Sequence, residues 1–423
     1  MSRVALPRSI GTARRERPTL RDRVARAALH RRLDSFRSGA IEIADPIGTA
    51  TVGGAGAGAV SVHIHDSLVY RLAMFNGPLG LAEGYINGMW DCDDLGSLMR
   101  LFVREIETAH GMHRGVARLG SFIAAIAASA RRNTRLGSQR NIAEHYDLGN
   151  DFFELMLDDT MTYSSGVYPV EASTLREAQV EKLDRICRKL ELKSGDRVLE
   201  TGSGWGSFSM HAAREYGCRV TTTTISKRQH EYAAARISQE NLGDRIEPLL
   251  KDYRDLTGTY DALVSIEMIE AVGHAYLGTY FDTCAKLLAP DGRMLLQAIS
   301  MPDAQYEGYR RRVDFIQRYV FPGSCCPSLG AINAAATNAG FKMSHLEDIT
   351  PHYARTLDDW RARFEGSLDR VRELGYSERF IRMWTYYLHY CAAGFDERYI
   401  STSQIMLDRP GFRGPSIPTT VRA

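Results

Sequence analysis

The stretch DRVLETGSGWGSFSMHAA, residues 196–213, constrains the fold of this chain more than any other. A short apolar run (Arg197–Thr201) ends in Gly202-x-Gly204-x-Gly206, and a helical pattern (Ser207–Tyr216) follows at once. Glycines directly after a buried strand let the backbone turn sharply and come close to a ligand, while the next helix offers its N-terminus. The same alternation continues downstream. Strands are predicted at Arg219–Ile225, near Ile246–Leu250, at Asp261–Ile266 and at Arg293–Ile299, with helices from Lys227 and over Tyr276–Leu288. A PDG turn (290–292) is expected before the last of these, and a final strand in STSQIMLDR after the aromatic helix FIRMWTYYLHYCAAGF. Strands alternating with helices of this length predict an α/β, Rossmann-like, parallel doubly wound sheet. Such sheets bind ligands at the carboxyl ends of their strands, where the glycine loop lies.

At 423 residues the chain is too long for one ordinary core, so two or three domains are expected. Its net charge of +2 hides an asymmetry: residues 1–40 carry eleven arginines against Glu16, Asp22 and Asp34. A second stretch, 111–140, holds six arginines and no acid. Basic segments of this kind suit an anionic surface, either nucleic acid or phospholipid head groups. We divide the chain into a basic, flexible arm (1–40) with one amphipathic segment, LRDRVARAALHRRL (20–33), a small mixed α/β domain (41–110), a basic linker (111–140), a catalytic domain (141–410) and a tail (411–423). Within 41–110, the loop GGAGAGA separates β-like pieces at Ile41–Ala44 and Val60–His65. The seven cysteines form no CxxC pair, which favours a reducing compartment without disulfides or structural zinc. No apolar run approaches the roughly 20 residues of a membrane span, and no signal-peptide core is evident. A cytoplasmic protein lying on the inner face of a membrane is the expectation.

The loop's ligand can be narrowed. A dinucleotide site wants GxGxxG with an acid about 20 residues on. Here position 207 is Ser, and TTTTIS (221–226) contains no acid, although Lys227 and Arg228 could meet a 2′-phosphate. A phosphate-binding P-loop would need Gly-Lys-Ser/Thr, which does not occur. The pattern present is E-x-G-x-G-x-G, Glu200 through Gly206, the usual first motif of S-adenosylmethionine (SAM) methyltransferases. At this point SAM, a dinucleotide and a plain structural turn all remain open.

Longer motifs decide by resemblance. NIAEHYDLGNDFFELMLDDTMTYSSGVY (141–168), LVSIEMIEAVGH (263–274), FIQRYVFPG (315–323) and PHYARTLDDW (351–360) resemble the cyclopropane-fatty-acyl-phospholipid synthase family, and GPLGLAEGYINGMWDCDDL (77–95) resembles its N-terminal domain. The resemblance runs from about Asn141 to Leu407. It implies SAM-dependent transfer of a methylene across the cis double bond of an unsaturated phospholipid acyl chain, closing a cyclopropane. A methylene-branched product, precursor of a 10-methyl fatty acid and calling for a downstream reductase, is the near alternative. A non-catalytic SAM- and lipid-binding protein is the distant one. The resemblance also suggests a homodimer. Nucleic-acid binding is not expected, because no recognition module accompanies the charge.

For the SAM cradle the resemblance carries over Tyr163, Ser164, Glu200, Gly202, Gly204, Gly206, Thr224, Ile225 and Gln229, with Asp252 and Tyr253 near the adenine. It further implies a bicarbonate ion serving as base, held by Ser165, Glu270, Gln297, Ile299 and Tyr353, with Glu270 orienting the ion through a shared proton or acting as the base itself. Two of these depart from the family pattern: Ser165 stands where Cys is frequent and Gln297 where His is typical, and Ala271 likewise replaces a His. Ser and Gln still donate hydrogen bonds to an anion. Tyr319, Phe321, Trp384 and Tyr387 are expected to line an acyl tunnel, and the basic segments, with SFIAAIAASARR (121–132), to dock on lipid.

Overall fold

The computed structural model describes residues 18–54, 58–105, 137 and 148–415. The linker 111–140 (apart from Gly137), its segment 121–132, the motif residues 141–147 and the end of the tail therefore lie outside the described residues. The chain forms two compact units, each assembled from three separate stretches.

The first unit takes residues up to 130, 311–320 and 365–399. Its sheet, in the order β2-β1-β3-β4, comprises β1 (Ala40–Asp45), β2 (Gly48–Gly53), β3 (Ala59–Ile64) and β4 (Trp90–Cys92). Asp45 sets the β1–β2 turn, its Oδ1 accepting from the Ile47 and Gly48 amides at 2.7 and 3.0 Å. The arm expected to be flexible contains a helix, Leu20–Leu33, closed by a Thr19–Asp22 capping box. That helix buries Ala25, Leu29 and Leu33 and pairs Arg26 with Asp45 at 2.6 Å. Burial of this apolar stripe, which arginines interrupt in the sequence, is why it is an integral element of the unit. The aromatic helix Glu378–Asp396 also packs here, against helices Pro78–Ile86 and Leu95–Arg104. Trp384 lies between Phe380 and Tyr387, at 5.7 and 5.0 Å between ring centroids.

The second unit takes 131–310, 321–364 and 400–423. Its seven-stranded sheet has the order β10-β11-β9-β8-β5-β6-β7. The strands are β5 (Arg197–Thr201), β6 (Arg219–Thr224), β7 (Ile246–Leu250), β8 (Tyr260–Ile266), β9 (Leu288–Ser300), β10 (Lys342–Asp348) and β11 (Ser401–Asp408). Strands β5 to β9 pair in parallel, as the alternating pattern predicts. The remaining pair departs from the expected all-parallel sheet: β11 runs antiparallel to both β9 and β10. The PDG turn is also absorbed into β9, whose pairing with β8 jumps from Tyr260–Leu288 to Ala262–Arg293. A bulge accommodates the extra residues without ending the strand.

Alternate residues of each central strand enter opposite cores. Leu199, Leu263 and Leu296 pack with Tyr280, Phe281 and Ile332 on one face. Val198, Val264 and Leu295 pack with Leu183, Ile186 and Phe208 on the other. Covering both faces is what a parallel sheet requires. The strand order reverses between β5 and β8, so a crevice opens at their carboxyl ends.

Candidate active site

After β5 the chain enters the glycine loop with positive φ at Gly202 (+92°), Gly204 (+49°) and Gly206 (+90°). The amides of Gly202 and Ser203 donate to the Thr223 carbonyl at 3.0 and 2.9 Å, tying the loop to β6. A Cβ on Gly202 would strike Met268 at 2.9 Å, whereas one on Gly204 would meet no atom of the described residues within 4 Å. The loop is thus closed against the β8 side at Gly202 and open at Gly204, a cradle that only an unsubstituted backbone offers. Gly206 starts helix Ser207–Tyr216.

The other expected cradle residues fall around this loop with uneven freedom. Glu200 is buried, its carboxyl accepting from Thr222 at 2.5 Å; burial pushes it up to about 8, against the pull of Thr222 and Lys182. Thr224 donates to Gln229 at 3.0 Å, both buried, and Ile225 follows half-buried. Asp252 accepts from the Arg254 amide and guanidinium at 3.0 and 2.6 Å, and Tyr253 meets Tyr280 edge-on at 5.2 Å. The Tyr163 ring stands 5.2 Å from Phe153, 5.1 Å from Trp360 and 6.3 Å from Phe321. Ser164 accepts from the buried Lys182 ammonium at 2.8 Å. Of the four expected tunnel aromatics, Phe321 shares the unit of the glycine loop; Tyr319, Trp384 and Tyr387 belong to the first unit.

The residues expected to hold an anion converge on a carboxylate that the sequence reasoning missed. Directly after β8, Glu267 accepts from the Tyr353 hydroxyl at 2.5 Å on Oε2. On Oε1 it accepts from Gln297 Nε2 at 2.9 Å and from the Ser165 amide at 3.0 Å. The Ser165 hydroxyl instead donates to the Gly166 carbonyl at 3.0 Å. Glu270 makes a separate contact: its Oε1 accepts from the Ile299 amide at 2.6 Å, and its buried Oε2 has no hydrogen-bond partner among the described residues. Burial and the neighbouring Glu267 charge push Glu270 up to about 8. Burial raises Glu267 as well, while Tyr353, Gln297, the Ser165 amide and Lys182 draw it back.

These contacts test the bicarbonate that the resemblance implies. Each donor assigned to it already serves a carboxylate or carbonyl of the chain, and two acidic side chains face the position. The residues present do not fit an added anion. Two signals could have revealed the arrangement. SIEMIE places two acids three residues apart immediately after a strand. Lys182 falls on the buried stripe Leu175-Ala178-Gln179-Lys182-Ile186, where a lysine needs an acidic partner.

Comparison with known proteins agrees with the glycine loop. Residues 133–405 match the family model described as mycolic acid cyclopropane synthetase. The chain is 37% identical over 374 residues to tuberculostearic acid methyltransferase UfaA1 of Mycobacterium tuberculosis, covering 86% of each. It is 35% identical over 358 residues to the cyclopropane-fatty-acyl-phospholipid synthase of Escherichia coli strain K12, covering 84% of this chain and 89% of that one. Among solved structures, mycolic acid cyclopropane synthase CmaA1 complexed with SAH and CTAB superposes with a TM-score of 0.61 at 32% identity. It spans 64% of this chain and 98% of its own. The family match, together with a similar fold in a structure complexed with SAH, removes the dinucleotide alternative. The chain belongs to the mycolic acid cyclopropane synthetase family and is a SAM-dependent methyltransferase.

Proposed function

We propose that this enzyme adds a methylene from SAM across the cis double bond of unsaturated phospholipid acyl chains, giving cyclopropane fatty acids. The observation that carries the reading is the group Glu267, Glu270 and Gln297 near the carboxyl ends of β8 and β9, met by Tyr353 from helix Thr350–Gly366 and adjoining Gly202 through Met268. An alkene is a weak nucleophile, so catalysis depends on holding the methyl donor against it and on removing a proton afterwards. When bound, SAM supplies an electrophilic methyl group on a sulfonium. Gly202 and Gly204 would receive its amino-acid end by close backbone approach. Thr224, Ile225 and Gln229 would meet the ribose, and Asp252 and Tyr253 the adenine side.

Tyr163, backed by Phe153 and Trp360, presents a π face to positive charge, worth about 0.5–2 kcal/mol per contact. Trp360 in turn packs edge-on against Tyr353 at 6.2 Å, linking the aromatic wall to the acidic group. Ser164 holds Lys182 inside, and Ser165 and Ile299 fix the two glutamates through their amides.

A second reading shares the first bond-forming step and ends in an exomethylene chain, which a reductase would then saturate. The similarity to tuberculostearic acid methyltransferase over most of both chains favours it. Substrates embedded in a bilayer would be met at its surface by the basic segments. Among the described residues no helix is long and apolar enough to cross a membrane. Purified protein incubated with SAM and oleoyl-phospholipid liposomes, followed by NMR of the extracted chains, separates the outcomes. High-field cyclopropyl protons support the first reading and exomethylene protons the second. Absence of any acyl product would overturn both.

A further inference from the structure

We propose that the Glu267 carboxylate occupies the anion position of this active site and is itself the proton acceptor, so that the enzyme works without bicarbonate. The inference rests on the acyl-chain methyltransferase reading and deepens it. A bicarbonate ion offers a planar O–C–O edge to hydrogen-bond donors. Glu267 offers the same edge, already filled by Tyr353 on one oxygen and by Gln297 and the Ser165 amide on the other. All three residues belong to the set that would otherwise hold the ion.

The donors are aimed by the fold. Lys189 can only donate, and its Nζ meets Gln404 Oε1 at 2.6 Å. That contact turns the Gln404 amide nitrogen onto Gln297 Oε1 at 3.0 Å, which in turn directs Gln297 Nε2 at Glu267. A buried cation thus fixes, through two amides, a donor for the Glu267 carboxylate. The backbone points the same way: Glu267 has φ of +49°, a left-handed conformation that a glutamate rarely adopts. Strain of this kind persists where a side chain must be presented.

Two neighbouring carboxylates cannot both ionise cheaply. Glu270, with one amide donor and an Oε2 that no described residue partners, is the group held neutral by burial and by its neighbour's charge. Burial raises Glu267 too, but its three donors and the Lys182 charge oppose that rise, so of the pair it is the one placed to hold the single negative charge. Both residues are half-buried as whole residues, with Glu270 Oε2 inside. In the reaction the alkene π pair forms the new carbon–carbon bond as the sulfur–carbon pair stays with sulfur. A C–H pair of the transferred methyl then closes the ring, or forms the exocyclic double bond after a hydride shift. Its proton passes to a Glu267 oxygen and later to solvent.

The test compares wild type with Glu267→Gly and Glu267→Gln, by 13C NMR of labelled bicarbonate and by product formation in CO2-free buffer with and without added bicarbonate. Wild type should bind no bicarbonate at millimolar concentration and keep its rate within twofold when it is omitted. Glu267→Gly, with its donors and space freed, should bind the ion and regain part of its lost turnover from it. Glu267→Gln keeps the shape, so it should fold, bind no ion and lose about 100-fold or more in rate, as expected for removal of a general base. Wild-type dependence on bicarbonate, or a Glu267→Gln variant within a few-fold of wild type, would overturn the proposal. If no lipid product forms with any variant, the functional reading fails, yet binding still decides here. Ion binding by Glu267→Gly alone supports the assignment, and any other binding pattern overturns it.

Discussion

Replacing Tyr353 with Phe removes one hydroxyl and leaves the ring on Trp360. The lost contact, 2.5 Å from the Tyr353 hydroxyl to Glu267 Oε2, is a hydrogen bond to an ionised group. Such bonds contribute about 1.5–3 kcal/mol. Because the hydroxyl favours the ionised form, its loss raises the proton affinity of Glu267, by roughly 1–2 pH units at about 1.4 kcal/mol per unit. Gln297, the Ser165 amide and the Lys182 charge still favour ionisation, and Glu270 still opposes it. The two glutamates titrate as a pair, so the quantity to follow is the acidic limb of the pH–rate profile. With oleoyl liposomes and product measured from pH 5.5 to 9, the Tyr353→Phe limb should move up by about 1–2 units. Its rate well above that limb should stay within about tenfold of wild type, since the base itself remains. An unmoved limb, in a variant that melts close to wild type, would refute the placement of charge on Glu267.

Two further outcomes follow from the same region. Glu200 and Glu270 are both held at about 8, whereas the unfolded chain releases these protons near 4.5. The folded state therefore keeps protons that the unfolded state loses, and stability falls as pH rises from about 4.5 to 8, by up to about 1.4 kcal/mol per unit and group. Urea midpoints of wild type should decline across that window, and Glu270→Gln should flatten the slope; a rising midpoint would contradict the assignment. In the glycine loop, Gly204→Ala meets open space but takes a left-handed φ of +49°, so it should lose about 1 kcal/mol of stability while SAM affinity drops at least about tenfold. Gly202→Ala, with φ of +92° and a Cβ that would lie 2.9 Å from Met268, should lose more, about 2–4 kcal/mol. Thermal melts and SAM titration separate the two, and equal behaviour would count against an open cradle.

The parallel core was legible because its strands are apolar runs set between amphipathic helices, and because Gly202 and Gly204 mark a turn that few other sequences make. Strand β2, GTATVG, was not: Val52 is its one buried residue, so no alternation announces it. Strand β10, KMSHLED, buries no residue fully and bulges between Met343 and His345. The direction of β11 could not be read either, since side-chain alternation is the same in both senses of a strand. In the site, Tyr353, Gln297 and Ser165 were found, yet their common partner was not. Glu267 declares itself only through contacts between β8, β9 and helix Thr350–Gly366, which are distant in sequence.

The first unit draws its last helix, Glu378–Asp396, from far along the chain. Its partner helix Leu95–Arg104, with Leu98, Met99 and Leu101 on its buried side, leaves the ribosome more than 270 residues earlier. At roughly 5–20 residues per second, that interval is on the order of 15–60 seconds. Throughout it, an apolar helix face made for a helix not yet synthesised stays without it. Vectorial synthesis therefore cannot finish this unit first, as it does for domains laid out one after another. The contact between these two helices forms only when nearly the whole chain has been made, and the methyltransferase sheet, whose strand β11 follows Glu378–Asp396, is completed at the same late stage.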